Sequence, residues 1–270
     1  MKFRILFALF NFVIVAAFAL IVLMPALVLG WEYSQVFWRG NWPVAIVFAA
    51  VLGGLNTYFG INWRLFTLLE REDWQGLIDH LEQKILVKNR LGKQRLRVLI
   101  NAYVVTGASD RISELEMRLR EIDSAWVSRF PLEFGIPYLL KNDASAMERF
   151  FGEMKERSDC PEPVWVRWNY GFAMILQQKL DEARAILMAI ADETKNPVQQ
   201  LLIAYLLDSA SAHDESARSV VGKLKSALQS RYQGDRWERE LERQRSGLQV
   251  LVLSKLIDDA SRWAFGRGDA

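Results

Sequence analysis

The sequence predicts an all-α protein in which an N-terminal transmembrane helical hairpin precedes an α-solenoid of stacked helical hairpins. Three observations carry this. Two long uncharged apolar runs open the chain, apolar residues recur at helical spacing without sustained alternation from Asn62 onward, and one set of positions repeats every 35 to 36 residues. Hydrophobic residues make up 51% of the chain, high for a wholly soluble protein, and the excess sits at the front.

Lys2 and Arg4 precede an apolar run from Ile5 to Leu29 whose single polar residue is Asn11. At about 1.5 Å per residue such a helix crosses a ~30 Å hydrocarbon core with tilt to spare. A signal peptide ending near Val28-Leu29-Gly30 is the competing reading, and the length of the run stands against it. A second uncharged run follows from Trp42, giving spans of about 5–29 and 42–60 within an anchor of residues 1–61. Either reading leaves this second run in the membrane. Trp31, Tyr33, Phe37, Trp38 and Trp42 crowd the connection, and Tyr58, Phe59 and Trp63 the far end, where amphipathic rings meet headgroups. Basic residues outside the spans number one in the connection, Arg39, against Lys2, Arg4, Arg64, Arg71, Lys84 and Lys88 elsewhere. The positive-inside bias then puts both termini in the cytoplasm, and the expectation is an integral protein of a bacterial inner membrane.

The small-xxx-small pairs Ala49/Gly53 and Ala50/Gly54 allow close helix contact in lipid. They pack the hairpin on its own first helix through Ala16, Ala17 or Ala19, or they build an oligomer through the hairpin.

Beyond the anchor the repeat has a definite template. Gly135, Tyr138, Ala144, Met147, Phe151 and Met154 share their spacings with Gly171, Met174, Leu180, Ala183, Leu187 and Ile190. Ile100, Tyr103, Ser109, Ile112, Glu116 and Leu119 fit the same frame, as do Leu65, Leu68, Trp74, Leu77, Leu81 and Lys84. A small residue on a first helix lets the second approach, and larger residues fill the joint. With Tyr170-Gly171-Phe172-Ala173 and Leu180-Asp181-Glu182-Ala183-Arg184, the pattern resembles the tetratricopeptide repeat family. It departs from that family where Ile100 and Leu65 replace a small residue, where Glu116 replaces an apolar one, and in a period longer than the usual 34. A fifth unit starts at Pro197, with Leu202, Tyr205, Ala217, Val221 and Leu224. The repeat domain then covers 62–230. Residues 231–270 read as C-terminal capping helices, with Leu248, Leu251, Val252 and Leu256 on one face, or as a charged tail followed by a docking helix.

The resemblance implies a groove lined by first helices. Its exposed inner face would carry Arg97 and Asn101, then Ile136 and Leu139, then Trp165, Trp168, Asn169 and Phe172. Such a lining suits an amphipathic helix or extended hydrophobic segment. Against it, the tryptophans serve equally as core staples, or the helix 248–263 fills the groove. A second candidate surface is basic: Lys84, Lys88, Arg90, Lys93 and Arg95 fall in a stretch with no acidic residue between Gln83 and Ser109, and would lie against anionic headgroups. The alternative there is a solvated loop obeying the positive-inside bias.

Charge is balanced outside the anchor, which argues against nucleic acid. His80 and His213 have no cysteine or carboxylate at metal-ligand spacing, and Gly53-Gly54 lies inside a span rather than in a phosphate-binding loop. Cys160, the single cysteine, has no base placed beside it by sequence and reads as an inert thiol. No catalytic residue, metal or cofactor is expected. The function these readings imply is a membrane-anchored adaptor that binds a protein or peptide partner at the cytoplasmic membrane surface. The alternative is an accessory or assembly subunit of a larger secretion, envelope or motility complex.

Overall fold

A computed structural model describes residues 2–211, 214–233, 235–245 and 247–266, so that His213 lies outside the described residues. These are helical apart from turns and connections, with no strand among them. Contacts divide the chain into two units, 1–106 and 107–270.

In the first unit α1 (Lys2–Leu29) and α2 (Trp31–Glu70) form a hairpin joined at Gly30, whose φ of 90° suits the one residue type without a Cβ. Both helices are long and apolar enough to cross a membrane. The inward stripe of α2 is Ala45, Phe48, Leu52, Asn56, Phe59 and Trp63, at helical spacing and half-buried. Phe48 stacks on Phe18 at 4.2 Å. Asn56 Nδ2 donates to Asn11 Oδ1 at 2.7 Å, so the one polar break in the first run meets its polar counterpart on the second. The small pairs do not make this joint. Gly53 and Gly54 are exposed, and a Cβ added at either would meet nothing within 4 Å, because the stripe toward α1 passes through positions 52 and 56 instead.

Helix α2 does not end with the apolar run. It continues to Glu70, past the boundary drawn at 61, and packs on α3 (Trp74–Glu82). A π-helical turn, Gln83–Val87, and a connection lead to α4 (Lys93–Val105), which packs on α3. Leu77, Leu81, Ile85, Leu96, Leu99 and Ile100 are at most 1% exposed and form this core.

The second unit runs through α5 (Ser109–Asp123), α6 (Ala125–Ser128), α7 (Pro131–Leu140), α8 (Ala144–Lys155), α9 (Pro163–Leu176), α10 (Leu180–Ala191), α11 (Pro197–Ala210) and α12 (Glu215–Arg231). From α7 to α12 each helix packs on the next, and α7 touches α9, α9 touches α11, and α10 touches α12. Met147, Phe151, Ala183, Leu187 and Ile190 are wholly buried, as their apolar spacing predicts.

The turns between paired helices share one backbone. A left-handed residue stands at Glu72, Gly107, Asn142 and Gln178, hence 35, 35 and 36 positions apart. In three of these turns the next amide bonds a carbonyl five residues back: Asp73 to Leu68 at 3.1 Å, Asp143 to Tyr138 at 3.0 Å, and Lys179 to Met174 at 2.9 Å. Asp73 and Asp143 then cap the helices that follow by accepting from the Gly76 and Ala146 amides. Gly135 and Gly171 mark the points where first and second helices approach. Their hydrogens face Phe151 and Leu187, each 16 residues later.

The C-terminal segment, 231–270 by sequence, belongs to the second unit and holds three helices, α13 (Arg236–Gln244), α14 (Leu248–Val252) and α15 (Ser254–Phe265). Leu248, Leu251, Val252 and Leu256 are not its buried face. The buried positions are instead Gln249, Leu253, Ile257, Ala260 and Ala264, an unbroken helical spacing one position along from the expected face, and Leu251 is 51% exposed. Helix α15 packs on α11 and α12, and α14 on α7.

Candidate functional site

The eight residues expected to line a groove fall in two units. Arg97 and Asn101 stand exposed on α4 in the first. In the second, Ile136, Trp165, Trp168 and Asn169 are buried, Trp168 and Asn169 completely, while Leu139 and Phe172 are half-buried. The four buried residues are therefore core rather than exposed lining. Trp168 sits between Trp165 at 5.8 Å and Phe172 at 5.4 Å. What closes the face is α14. Gln249, 5% exposed, accepts from Asn169 Nδ2 at 3.4 Å and donates to the Leu132 carbonyl at 3.5 Å. An apolar, aromatic face gains more by burial under the chain's own helix than by exposure to water. The closure is imperfect in hydrogen bonding: both Gln249 contacts are long, and Trp168 Nε1 and Asn169 Oδ1 are buried without a partner.

Glu116, the charged residue in an apolar template position, is only 4% exposed. It accepts from Arg120 Nε at 2.8 Å and from the Tyr138 hydroxyl at 2.8 Å, which satisfies its burial. Arg120 also clamps Glu153 on α8 at 2.9 and 3.0 Å. Glu153 first, and Glu116 with it, raise the Arg120 guanidinium, while burial and then Glu116 push the Tyr138 phenol up. The network ties α5, α7 and α8 together, and sequence spacing alone marked Glu116 only as an anomaly.

The basic stretch keeps its exposure. Lys88, Arg90 and Lys93 are exposed, and Lys84 and Arg95 are half-buried. The fold adds Arg64, exposed on α2, which lies close enough to act on both Lys84 and His80. His80 is buried with its Nε2 unpartnered, and burial followed by Lys84, Arg64 and Lys88 lowers its pKa below 6.5. Burial, then Asp159, pushes the Cys160 thiol up, away from the reactive thiolate. Among the described residues no group of His, Cys, Asp and Glu is placed to hold a metal ion.

A family model described as "Uncharacterised Treponema protein" matches residues 111–266. The chain belongs to that family. The matched residues start inside α5 and end just after α15, so the family covers nearly all of the second unit, with the Glu116 network and the α14 closure inside it. A protein of Treponema pallidum (strain Nichols), described as uncharacterized, is 25% identical over 232 residues, which is 82% of this chain and 74% of the relative. No solved structure gives a significant match.

Proposed function

We propose that the chain is an integral membrane protein, anchored by α1 and α2 with both termini in the cytoplasm. Its helical pairs form TPR-like repeats that hold a protein or peptide partner at the membrane surface. The recurrence of one turn geometry at positions 72, 107, 142 and 178 is the observation that carries the repeat reading. Gly135 and Gly171, each facing a residue 16 positions later, support it. The anchor reading rests on outward apolar side chains such as Ile5, Phe12, Leu20 and Leu27, which are 65% exposed or more with no protein over them. A partner segment competes with α14 for the face around Trp168 and Asn169, whose unmet hydrogen bonds an incoming backbone or amide satisfies.

The test compares the full chain with its Gln249→Glu variant, which forces a charge into the buried contact of α14. Both are crosslinked in native membranes, solubilised gently and analysed for stoichiometric partners. The expected result is one discrete partner, captured more strongly by the variant. A chain that elutes alone in both forms defeats the adaptor reading. A partner whose capture is unaffected by Gln249→Glu places binding elsewhere.

The second reading, an accessory subunit of a larger membrane complex, draws on the open face of α2. Gly53, Gly54 and Gly60 all point to unoccupied space there, leaving room for another transmembrane helix.

A further inference from the structure

The second unit of this chain pairs its buried or half-buried cations with care: Arg120 with Glu116 and Glu153, Arg167 with Glu193, Lys179 with Glu148, Arg184 with Asp181 and Asp214. Five cations of the first unit differ. Arg64 from α2, Lys84 from the π-helical turn, Lys88 and Arg90 from the connection and Arg95 from α4 form no ion pair among the described residues, yet the fold brings them together. Lys84 is the half-buried centre. Burial, then Arg95, Arg90, Lys88 and Arg64 in turn, lowers its pKa, and the Arg90 amide donates to the Lys84 carbonyl at 2.9 Å, which holds the connection against the π-helical turn. Arg95 also donates to the Arg90 carbonyl at 3.1 Å, so the connection is folded back onto α4 and the Arg95 guanidinium lies against the Arg90 backbone.

Gathering like charges without a carboxylate costs free energy that a bound anion returns. The position of the cluster says which anion. Arg64 lies between Trp63 and Phe66 in the aromatic group that closes the apolar run of α2, which on the membrane reading puts the cluster at headgroup depth. We infer that Arg64, Lys84, Lys88, Arg90 and Arg95 form a saturable site for the phosphate headgroup of an anionic phospholipid at the foot of α2. This rests on the reading that α1 and α2 span the membrane. It differs from diffuse attraction to a charged surface in having a stoichiometry and a centre, Lys84.

The experiment uses the full chain in mild detergent, titrated with phosphatidylglycerol or phosphatidylcholine and read by native mass spectrometry. Wild type retains one phosphatidylglycerol in preference to phosphatidylcholine. The double variant Lys84→Gln/Arg95→Gln binds it about thirtyfold more weakly, as expected for two cations near a headgroup. Lys223→Gln, at an exposed lysine of the second unit paired with Asp192, leaves binding unchanged and controls for total charge. Equal retention of both lipids, or retention by the double variant at wild-type strength, overturns the site. So does displacement of the lipid by millimolar inorganic phosphate, which would make the ligand a free anion. Carbonate extraction of membranes separates the two readings. A chain that stays in the pellet but shows no lipid preference loses the headgroup site alone, whereas a chain released to the supernatant loses the anchor and the site with it.

Discussion

Gly135 and Gly171 occupy equivalent template positions, and the geometry around them assigns their alanine variants opposite outcomes. A Cβ at Gly135 would stand 2.2 Å from Phe151 Cζ and 2.9 Å from its Cε1. The ring is wholly buried and held edge-on by Phe150 at 5.2 Å, so it cannot swing away without moving a second ring. Overpacking of this kind costs about 1–3 kcal/mol. Against it, alanine gains about 1 kcal/mol over glycine in a helix interior. Gly135→Ala is therefore destabilising by up to about 2 kcal/mol net. At Gly171 the nearest atoms, Leu187 Cδ2 and Cγ, are both 3.3 Å away, a contact that a few tenths of an ångström relieve. There the helix preference prevails, and Gly171→Ala is neutral or stabilising by up to about 1 kcal/mol. Urea denaturation of each full-length variant in the same detergent, followed by far-UV circular dichroism, reads the difference as a shift in midpoint at unchanged slope. A Gly135→Ala midpoint equal to or above that of Gly171→Ala refutes the close approach of α7 and α8 on which the paired-helix argument depends.

Glu116→Ala strips Tyr138 of its acceptor and Arg120 of one carboxylate. Because Arg120 keeps Glu153 and is 32% exposed, the loss should be about 1–3 kcal/mol in the same urea assay, and no loss would show the network to be idle. Trp168→Ala removes a fully buried indole and should cost about 3–5 kcal/mol, with one cooperative melting transition at lower temperature; an unchanged transition would return Trp168 to an open groove. His80 has a folded-state pKa below the free value of 6.5, so its contribution is intact above 6.5 and is lost as pH falls from there toward the lowered value. Amide exchange of residues 74–105, corrected for intrinsic rates, should therefore speed up between pH 7.5 and 5, and His80→Gln should flatten that dependence.

The helical pairs were legible because burial imposes a period. Positions singled out by equal spacing, such as Phe151 and Leu187, are the ones found without exposed surface, and the glycines of the template stand where helices approach. The face of α9 was misassigned because apolar periodicity marks surface to be covered without saying by what. The cover for Trp168 and Asn169 comes from Gln249, 80 residues beyond Asn169. The C-terminal face likewise lies one position along from the apolar one, on Gln249, Leu253 and Ile257, because the polar Gln249 turns inward to Asn169 and the Leu132 carbonyl. The basic surface was read from a run without acidic residues, which found Lys84 to Arg95. It missed Arg64, which joins them only through the packing of α2 on α3. Glycines inside α2 pointed to close packing, but which side they face depended on the partner stripe of Asn56 and Phe48, which residue type alone does not reveal.

Helix α2 runs forty residues without interruption, about 60 Å, roughly twice the hydrocarbon thickness it would cross. Its last turns lie against α3, so the helix that would cross the bilayer is packed directly on the first helix beyond it. On the proposed membrane reading, a rod held in this way would act as a lever whose fulcrum is the bilayer. Where the membrane thins, a long apolar helix answers by tilting, and the far end of the rod sweeps through an arc that carries α3 and α4 with it. On that reading, bilayer thickness would become a mechanical input to α3 and α4.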